Sequence, residues 1–163
     1  MDINVRRMEL ADAPIVSDLW NKLAKDQLKR DKYYIEYNDC IQECDMSDYF
    51  RDCLKKDNCC ILVILVDGRI VGFSETWLNK ADFYFNITDY AYILHFYIEE
   101  DVRSHIVASR LFKETEKWAL EHNSKFLGAD VFAFNSKVQK LLEYENLSKY
   151  KIRYMKELKN GEI

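Results

Sequence analysis

The chain has 163 residues, 48% of them hydrophobic and 14% aromatic, which suits one core. With only four glycines and one proline it has no linker-like stretch, so residues 1–163 are expected to form a single domain. A formal net charge of -4 argues against a nucleic-acid partner, and the longest apolar run, Cys59 to Val66, is too short to span a bilayer.

In chain order, Ile3 to Arg7 alternates apolar and polar residues and predicts a first strand. Asp12 can cap a helix with Pro14 in its first turn and Ile15, Leu19, Leu23 and Leu28 at helical spacing. The segment Tyr33 to Asp45 is rich in aromatics and acids and has no clean period. Ser47 or Asp45 can cap a second helix whose apolar face is Tyr49, Phe50, Cys53 and Leu54. Cys60 to Val66, then Asp67-Gly68, then Arg69 to Leu78 is a hairpin pattern, because Asp-Gly accepts the positive φ angles that a tight hairpin turn needs. Ala91 to Ile98 is a nearly continuous apolar strand. Val107, Leu111, Phe112, Thr115, Trp118 and Ala119 share a helical face. Phe126 to Phe134 returns to strand, Asn135 can cap a short helix marked by Val138, Leu141 and Leu142, and Tyr150 to Leu158 alternates as a closing strand.

Five cysteines, two of them adjacent in an apolar strand, do not make a disulfide framework, and no second Cys or His pair stands at zinc-binding spacing beside Cys40 and Cys44. No metal is expected. Met1 to Arg7 lacks the apolar core of a signal peptide, so a soluble cytoplasmic protein without membrane partners is expected.

From Asp67 to Leu158 the text resembles the GCN5-related N-acetyltransferase (GNAT) superfamily. Asp67-Gly68-Arg69-Ile70-Val71-Gly72-Phe73 is similar to its hairpin, Phe96-Tyr97-Ile98 to the end of its central strand, and Arg103 stands at its motif arginine. Asn135, Val138 and Glu143 fit the following pattern, and Met155-Lys156-Glu157-Leu158 the last. The first 60 residues agree in element order only. The resemblance implies an α/β fold with a mixed, largely antiparallel sheet and helices on both faces, a splayed central strand pair, and acetyl-CoA as cosubstrate. It also implies a pyrophosphate held by Arg103, Ser104, His105, Ile106, Val107, Ala108 and Ser109, where a helix N-terminus aims N–H groups at an anion. The pantothenate arm would lie along Phe96, Tyr97 and Ile98, and Asn135 would help to hold the cosubstrate.

The chain departs from that pattern at Ile106 and Ser104, where the family has glycine, at Glu100 in place of proline, and at Leu142 in place of the usual tyrosine acid. A branched side chain keeps an anion from the backbone, so a weak hold on CoA is expected. Tyr144 is the substitute acid. His95, near the end of the central strand, and Glu75, on its neighbour, are alternative bases, each with a plain structural reading as well. His105 can donate to a phosphate, and His122 reads as surface.

The resemblance implies N-acetyl transfer by direct attack of a primary amine on the thioester. The acceptor is a small-molecule or peptide amine, and Glu36, Asp39, Glu43, Asp45 and Asp48 would favour a cationic one, with Tyr33, Tyr34 and Tyr37 offering cation–π contacts. The alternatives are a catalytically inactive GNAT-fold binding or regulatory module and an unrelated α/β domain. A homodimer fits the resemblance, with Phe83-Tyr84-Phe85 as a contact.

Overall fold

The computed structural model describes residues 1–31, 44–156 and 158. Tyr33, Tyr34, Glu36, Tyr37, Asp39, Cys40, Glu43 and Glu157 lie outside the described residues. Strand β1 (Ile3–Arg7) leads through a short 3-10 turn, Leu10–Asp12, into α1 (Ala13–Leu28). The Asp12 carboxylate serves that turn: it accepts from the Glu9 N–H at 2.8 Å and from Arg6 at 2.6 Å, and it is held below its ordinary pKa, chiefly by the Arg6 hydrogen bond against the cost of burial. The buried face of α1 is Ala13, Val16, Ser17, Leu19 and Ala24, so Ile15, expected inside, stands 45% exposed.

Helix α2 (Ser47–Cys53) follows, its first turn fixed by the Ser47 N–H donating to the Asp45 side chain. Strands β2 (Cys59–Val66) and β3 (Arg69–Lys80) form the expected hairpin, with φ of 48° at Asp67 and 81° at Gly68. β4 (Asp89–Ile98), α3 (His105–Glu121), β5 (Leu127–Ala129) and α4 (Ser136–Tyr144) complete the described elements. The strands run β1-β2-β3-β4-β5 across one sheet, antiparallel except for the parallel β4–β5 pair.

Both faces of the sheet are covered. On one, Val107, Leu111, Trp118 and Ala119 of α3 pack on Cys60, Leu62, Ile64 and Val71; on the other, Val16 and Leu19 of α1 and Phe50 and Cys53 of α2 pack on Ile61, Val63 and Phe73. All six residues assigned to the α3 face from sequence are buried. Burying apolar surface at about 25 cal/mol per Å² is what holds such two-faced sheets.

Two expectations fail. Only Leu127–Ala129 of the segment Phe126 to Phe134 is strand. Residues 147–156 pair with no strand, and Tyr150, Ile152 and Tyr154 stand 86%, 69% and 88% exposed. Alternation marks a strand only where a sheet edge of matching length receives it, and β5 offers three residues.

Gly72 lies where β3 passes closest to β4. A Cβ there would fall 2.4 Å from the Tyr97 carbonyl oxygen and 3.0 Å from the Ile98 Cα. Gly72→Ala is therefore expected to cost about 1–3 kcal/mol by overpacking, and more if β4 cannot move. Urea unfolding of the two chains measures it, and a change under 0.5 kcal/mol (roughly the size of a neutral surface substitution) would show that β4 yields freely.

Candidate active site

β4 pairs with β5 only from Ala91 to Ile93; Leu94 to Ile98 continue without a β5 partner, and a cleft opens there. It is lined by β4 (Ile93, Leu94, His95, Phe96), by the run from Ala129 to Phe132, by Asn135, Val138, Leu141 and Leu142 around α4, and by Leu23 and Gln27 of α1. This is the splayed strand pair expected from sequence.

One register irregularity sets the chemistry. His95 stands opposite Glu75 and Ile93 opposite Thr76, so Leu94 is an extra residue of β4, and it is 43% exposed. Such a bulge turns the strand locally and re-aims its side chains. Here it leaves His95 on the α1–α2 face, in the same layer as Phe73, Glu75 and Trp77.

There Glu75 and His95, separate candidates in the sequence, form a pair. His95 Nδ1 lies 2.8 Å from Glu75 Oε2, while Glu75 Oε1 accepts from the Tyr49 hydroxyl at 2.6 Å and from Trp77 Nε1 at 2.7 Å. Glu75 is 0% exposed. Burial alone pushes its carboxyl up, but the hydrogen bond from His95, with those from Tyr49 and Trp77, outweighs it and holds the group below its ordinary value. An ionised carboxylate accepts and never donates, so Nδ1 carries a proton, and what lies against the other ring nitrogen, Nε2, decides whether it holds a lone pair. Trp20 Nε1, 3.3 Å away, donates to that nitrogen. Trp77 and Trp20 were not singled out from sequence, and Tyr49 was read only as part of its helix's apolar face. A carboxylate set between Phe73 and Trp77 on one strand face was the available signal, since such a group must find donors.

Behind this pair Cys53, Cys59 and Glu75 bring three buried ligand atoms within 4.8 Å of one another, a grouping that could hold a metal ion and that was not foreseen. Burial pushes both thiols up, and both Glu75 oxygens already accept hydrogen bonds, so a cation there would displace existing partners. Cys44 is a free thiol.

Helix α3 begins seven residues after β4 ends, and its Phe112 lines the cleft. Ser104 caps it, its Oγ accepting from Val107 N–H at 3.3 Å and its carbonyl from Ala108 N–H at 3.0 Å. The N–H groups of His105 and Ile106, in the first turn, have no acceptor within the helix. Val107, Ala108 and Ser109 are buried, and the Ser109 hydroxyl donates to Glu145. Ile106 is 66% exposed, its branched side chain beside those N–H groups. Arg103 is folded back: Nε and Nη2 donate to the Ile98 carbonyl at 2.9 and 2.7 Å, and its guanidinium carbon lies 5.4 Å from the Tyr97 ring centre. It thus occupies Ile98, one of the backbone groups expected to receive the pantothenate arm.

Phe96 lines the cleft, whereas Tyr97 is buried under α1 and Ile98 in the α3-side core. Asn135 caps α4, accepting from Val138 N–H at 3.4 Å. Leu142 lines the cleft; Tyr144 ends α4 65% exposed, its ring edge-on to His105 with centres 4.1 Å apart. His122 packs on Trp118 at the far end of α3. Among the described residues no helix is long and apolar enough to cross a membrane.

The fold, the splayed strands and the loop leading into α3 define a class of acyl-group-transferring domains. The sequence matches the Acetyltransferase (GNAT) family over residues 24–144, and the chain belongs to that family. No curated protein matches it. Among solved structures, a mutant of the BH1408 protein of Bacillus halodurans superposes with a TM-score of 0.79 at 16% identity, covering 95% of this chain and 99% of that one. The aminoglycoside N-acetyltransferase AAC(6')-Iy in complex with CoA gives 0.72 at 14% identity, covering 98% and 95%. The aminoglycoside 6'-N-acetyltransferase AAC(6')-IG of Acinetobacter haemolyticus gives 0.70 at 14%, covering 96% and 99%. At these identities the likeness is one of fold.

Proposed function

We propose that this chain is a cytoplasmic N-acetyltransferase that moves an acetyl group from acetyl-CoA to a primary amine by direct attack, with His95 as base and Glu75 as its partner. The Glu75–His95 pair carries the reading, because it sets an imidazole at the cleft with a buried carboxylate behind it. Acetyl-CoA supplies the activated acetyl thioester. His95 Nε2 takes a proton from the acceptor ammonium, and Glu75 stabilises the imidazolium that forms. The freed amine bonds to the acetyl carbon as the carbon–sulfur bond breaks, the departing thiolate takes a proton from Tyr144, the one phenol of α4, or from water, and the second proton that the nitrogen sheds as the amide forms restores that donor.

The donors present fit the cosubstrate in part. The unpartnered edge of β4 and the N–H groups of His105 and Ile106 would hold it, together with Arg103 once that side chain releases Ile98. The acceptor we assign is a cation: Asp130 lines the cleft, and no Lys or Arg does among the described residues. The exposed Phe83, Tyr84 and Phe85 are the contact we assign to a homodimer.

Release of CoA thiol with spermidine, an aminoglycoside and a lysine peptide tests the reading. Turnover with at least one of them, lowered about 100-fold or more in His95→Gln, is the expected result. Micromolar acetyl-CoA binding without thiol release from any amine would favour the second reading, a binding module that has lost catalysis. That reading draws on the folded-back Arg103 and the exposed Ile106 side chain.

A further inference from the structure

We infer that Trp20 is a removable cap on the base: in the resting chain its indole N–H closes His95 Nε2, and acetyl transfer requires that nitrogen to be given up to the acceptor ammonium. The inference rests on the assignment of His95 as base and goes beyond it, since it names the residue that controls when the base is free and which acceptors can free it.

Three observations carry it. First, the indole Nε1 of Trp20 is a donor only, and it lies 3.3 Å from His95 Nε2 with the two rings edge-on at 88°. That bond exists only when Nε2 has no proton. Second, Glu75 independently demands the same tautomer from the other side of the ring, through Nδ1 at 2.8 Å. The Glu75 contact fixes a proton on Nδ1 and the Trp20 contact needs a lone pair on Nε2, so in the capped ring that lone pair points at Trp20. Third, Trp20 stands three and seven residues before Leu23 and Gln27, which places all three along one side of α1, and Leu23 and Gln27 line the cleft. Trp20 thus belongs to the helix that walls the cleft, one turn before Leu23.

A lone pair engaged by an indole cannot take a proton from a substrate. An incoming group must out-compete the indole as donor. An ammonium does so, because hydrogen bonds from charged donors are shorter and roughly twice as strong as neutral ones, and the Trp20 contact lies at the long end of the normal range. A neutral hydroxyl offers only what the indole already gives. The cap therefore discriminates in favour of cationic amines and against alcohols, without any carboxylate facing the substrate at that point.

The test uses the full chain and needs no knowledge of the acceptor. Diethyl pyrocarbonate modifies a neutral imidazole through its free lone pair: a nitrogen–carbon bond forms, ethyl carbonate leaves and breaks down to ethanol and carbon dioxide, and the ring gives up its other proton. The chain has only three histidines, so site-resolved mass spectrometry follows His95 against His105 and His122 in one sample. The expected result is slow modification of His95 in the native chain, about ten-fold or more behind the exposed His105. Trp20→Phe should speed His95 by about five-fold, the factor that loss of one neutral hydrogen bond gives, and leave His105 unchanged.

Because phenylalanine is also smaller, a second variant carries benzothienylalanine at position 20, which keeps the indole shape and replaces N–H by sulfur. Acceleration in this variant supports the cap. A native rate at His95 in the sulfur variant, or His95 reacting as fast as His105 in the native chain, overturns it. The two levels separate cleanly in combination with His95→Gln. If that variant retains amine acetylation, the base assignment falls and the cap's role with it. If it loses acetylation while the sulfur variant shows no acceleration, only the cap falls.

Discussion

Glu75→Gln is expected to lower kcat for amine acetylation by about 100-fold or more, with little change in the affinity for acetyl-CoA. The reason lies in donors and acceptors rather than in bulk. Glutamine keeps one oxygen, which can go on accepting from Tyr49 and Trp77, but its other end is then an NH2 group facing His95 Nδ1. Two donors cannot share that contact, so the imidazole moves its proton to Nε2, where it meets the Trp20 N–H. The nitrogen that should accept a proton from the substrate then already holds one. Because the site is fully buried, the misfit also lowers stability, by about 1–3 kcal/mol. The pH dependence has a definite sign. The folded-state pKa of Glu75 is lowered, so its contribution to stability is present above the unfolded carboxyl value, about 4.3, and is lost as pH falls through the folded value. The difference in urea midpoint between native chain and variant should be full at pH 6–8 and shrink below about pH 4. A variant within three-fold of native kcat (a loss of about 0.6 kcal/mol in barrier terms) would sink the paired-base reading.

The parts of the fold that were legible in the sequence are those governed by neighbours along the chain. Asp67-Gly68 announces its hairpin because the turn's positive φ angles are a property of those two residues. The α3 face was readable because a long helix packed on a sheet repeats one pattern, and the cap at Asn135 is local as well. What was not legible depends on register between distant segments. Glu75 and His95 are twenty residues apart, and only the extra residue at Leu94 sets them side by side on the α1–α2 face. Tyr49 and Trp20 arrive from two helices whose packing no single-chain periodicity dictates; at the start of α1 the pattern favoured Ile15, but Val16 is buried and Ile15 stands exposed. The closing strand failed for a related reason, since alternation states a preference for burial on one side without stating that an edge exists to receive it.

The first turn of α3 makes the second large prediction. Ile106→Gly is expected to tighten acetyl-CoA binding by about 10- to 100-fold, the range that corresponds to gaining one or two hydrogen bonds to a charged group. Ile106 sits in the first turn of α3, where its own N–H and that of His105 have no acceptor within the helix and are therefore available to an anion. Its side chain, 66% exposed, buries little and contributes little to the core, so its removal costs the helix less than about 1 kcal/mol. What it does instead is hold branched carbon beside donors that a phosphate must approach closely. Calorimetry with acetyl-CoA on both chains reads the outcome, and Arg103 supplies a consistency check. If the anion draws the guanidinium from Ile98, Arg103→Ala should weaken binding to the glycine variant more than to the native chain, where the anion stays farther out. Equal affinities for native and glycine chains would mean that the isoleucine already stands clear of the anion, and the departure from glycine would then carry no functional weight. Binding seen only in the glycine variant would mean that this one side chain closes the site, and the acetyltransferase fold would be serving as a scaffold for something other than acetyl transfer.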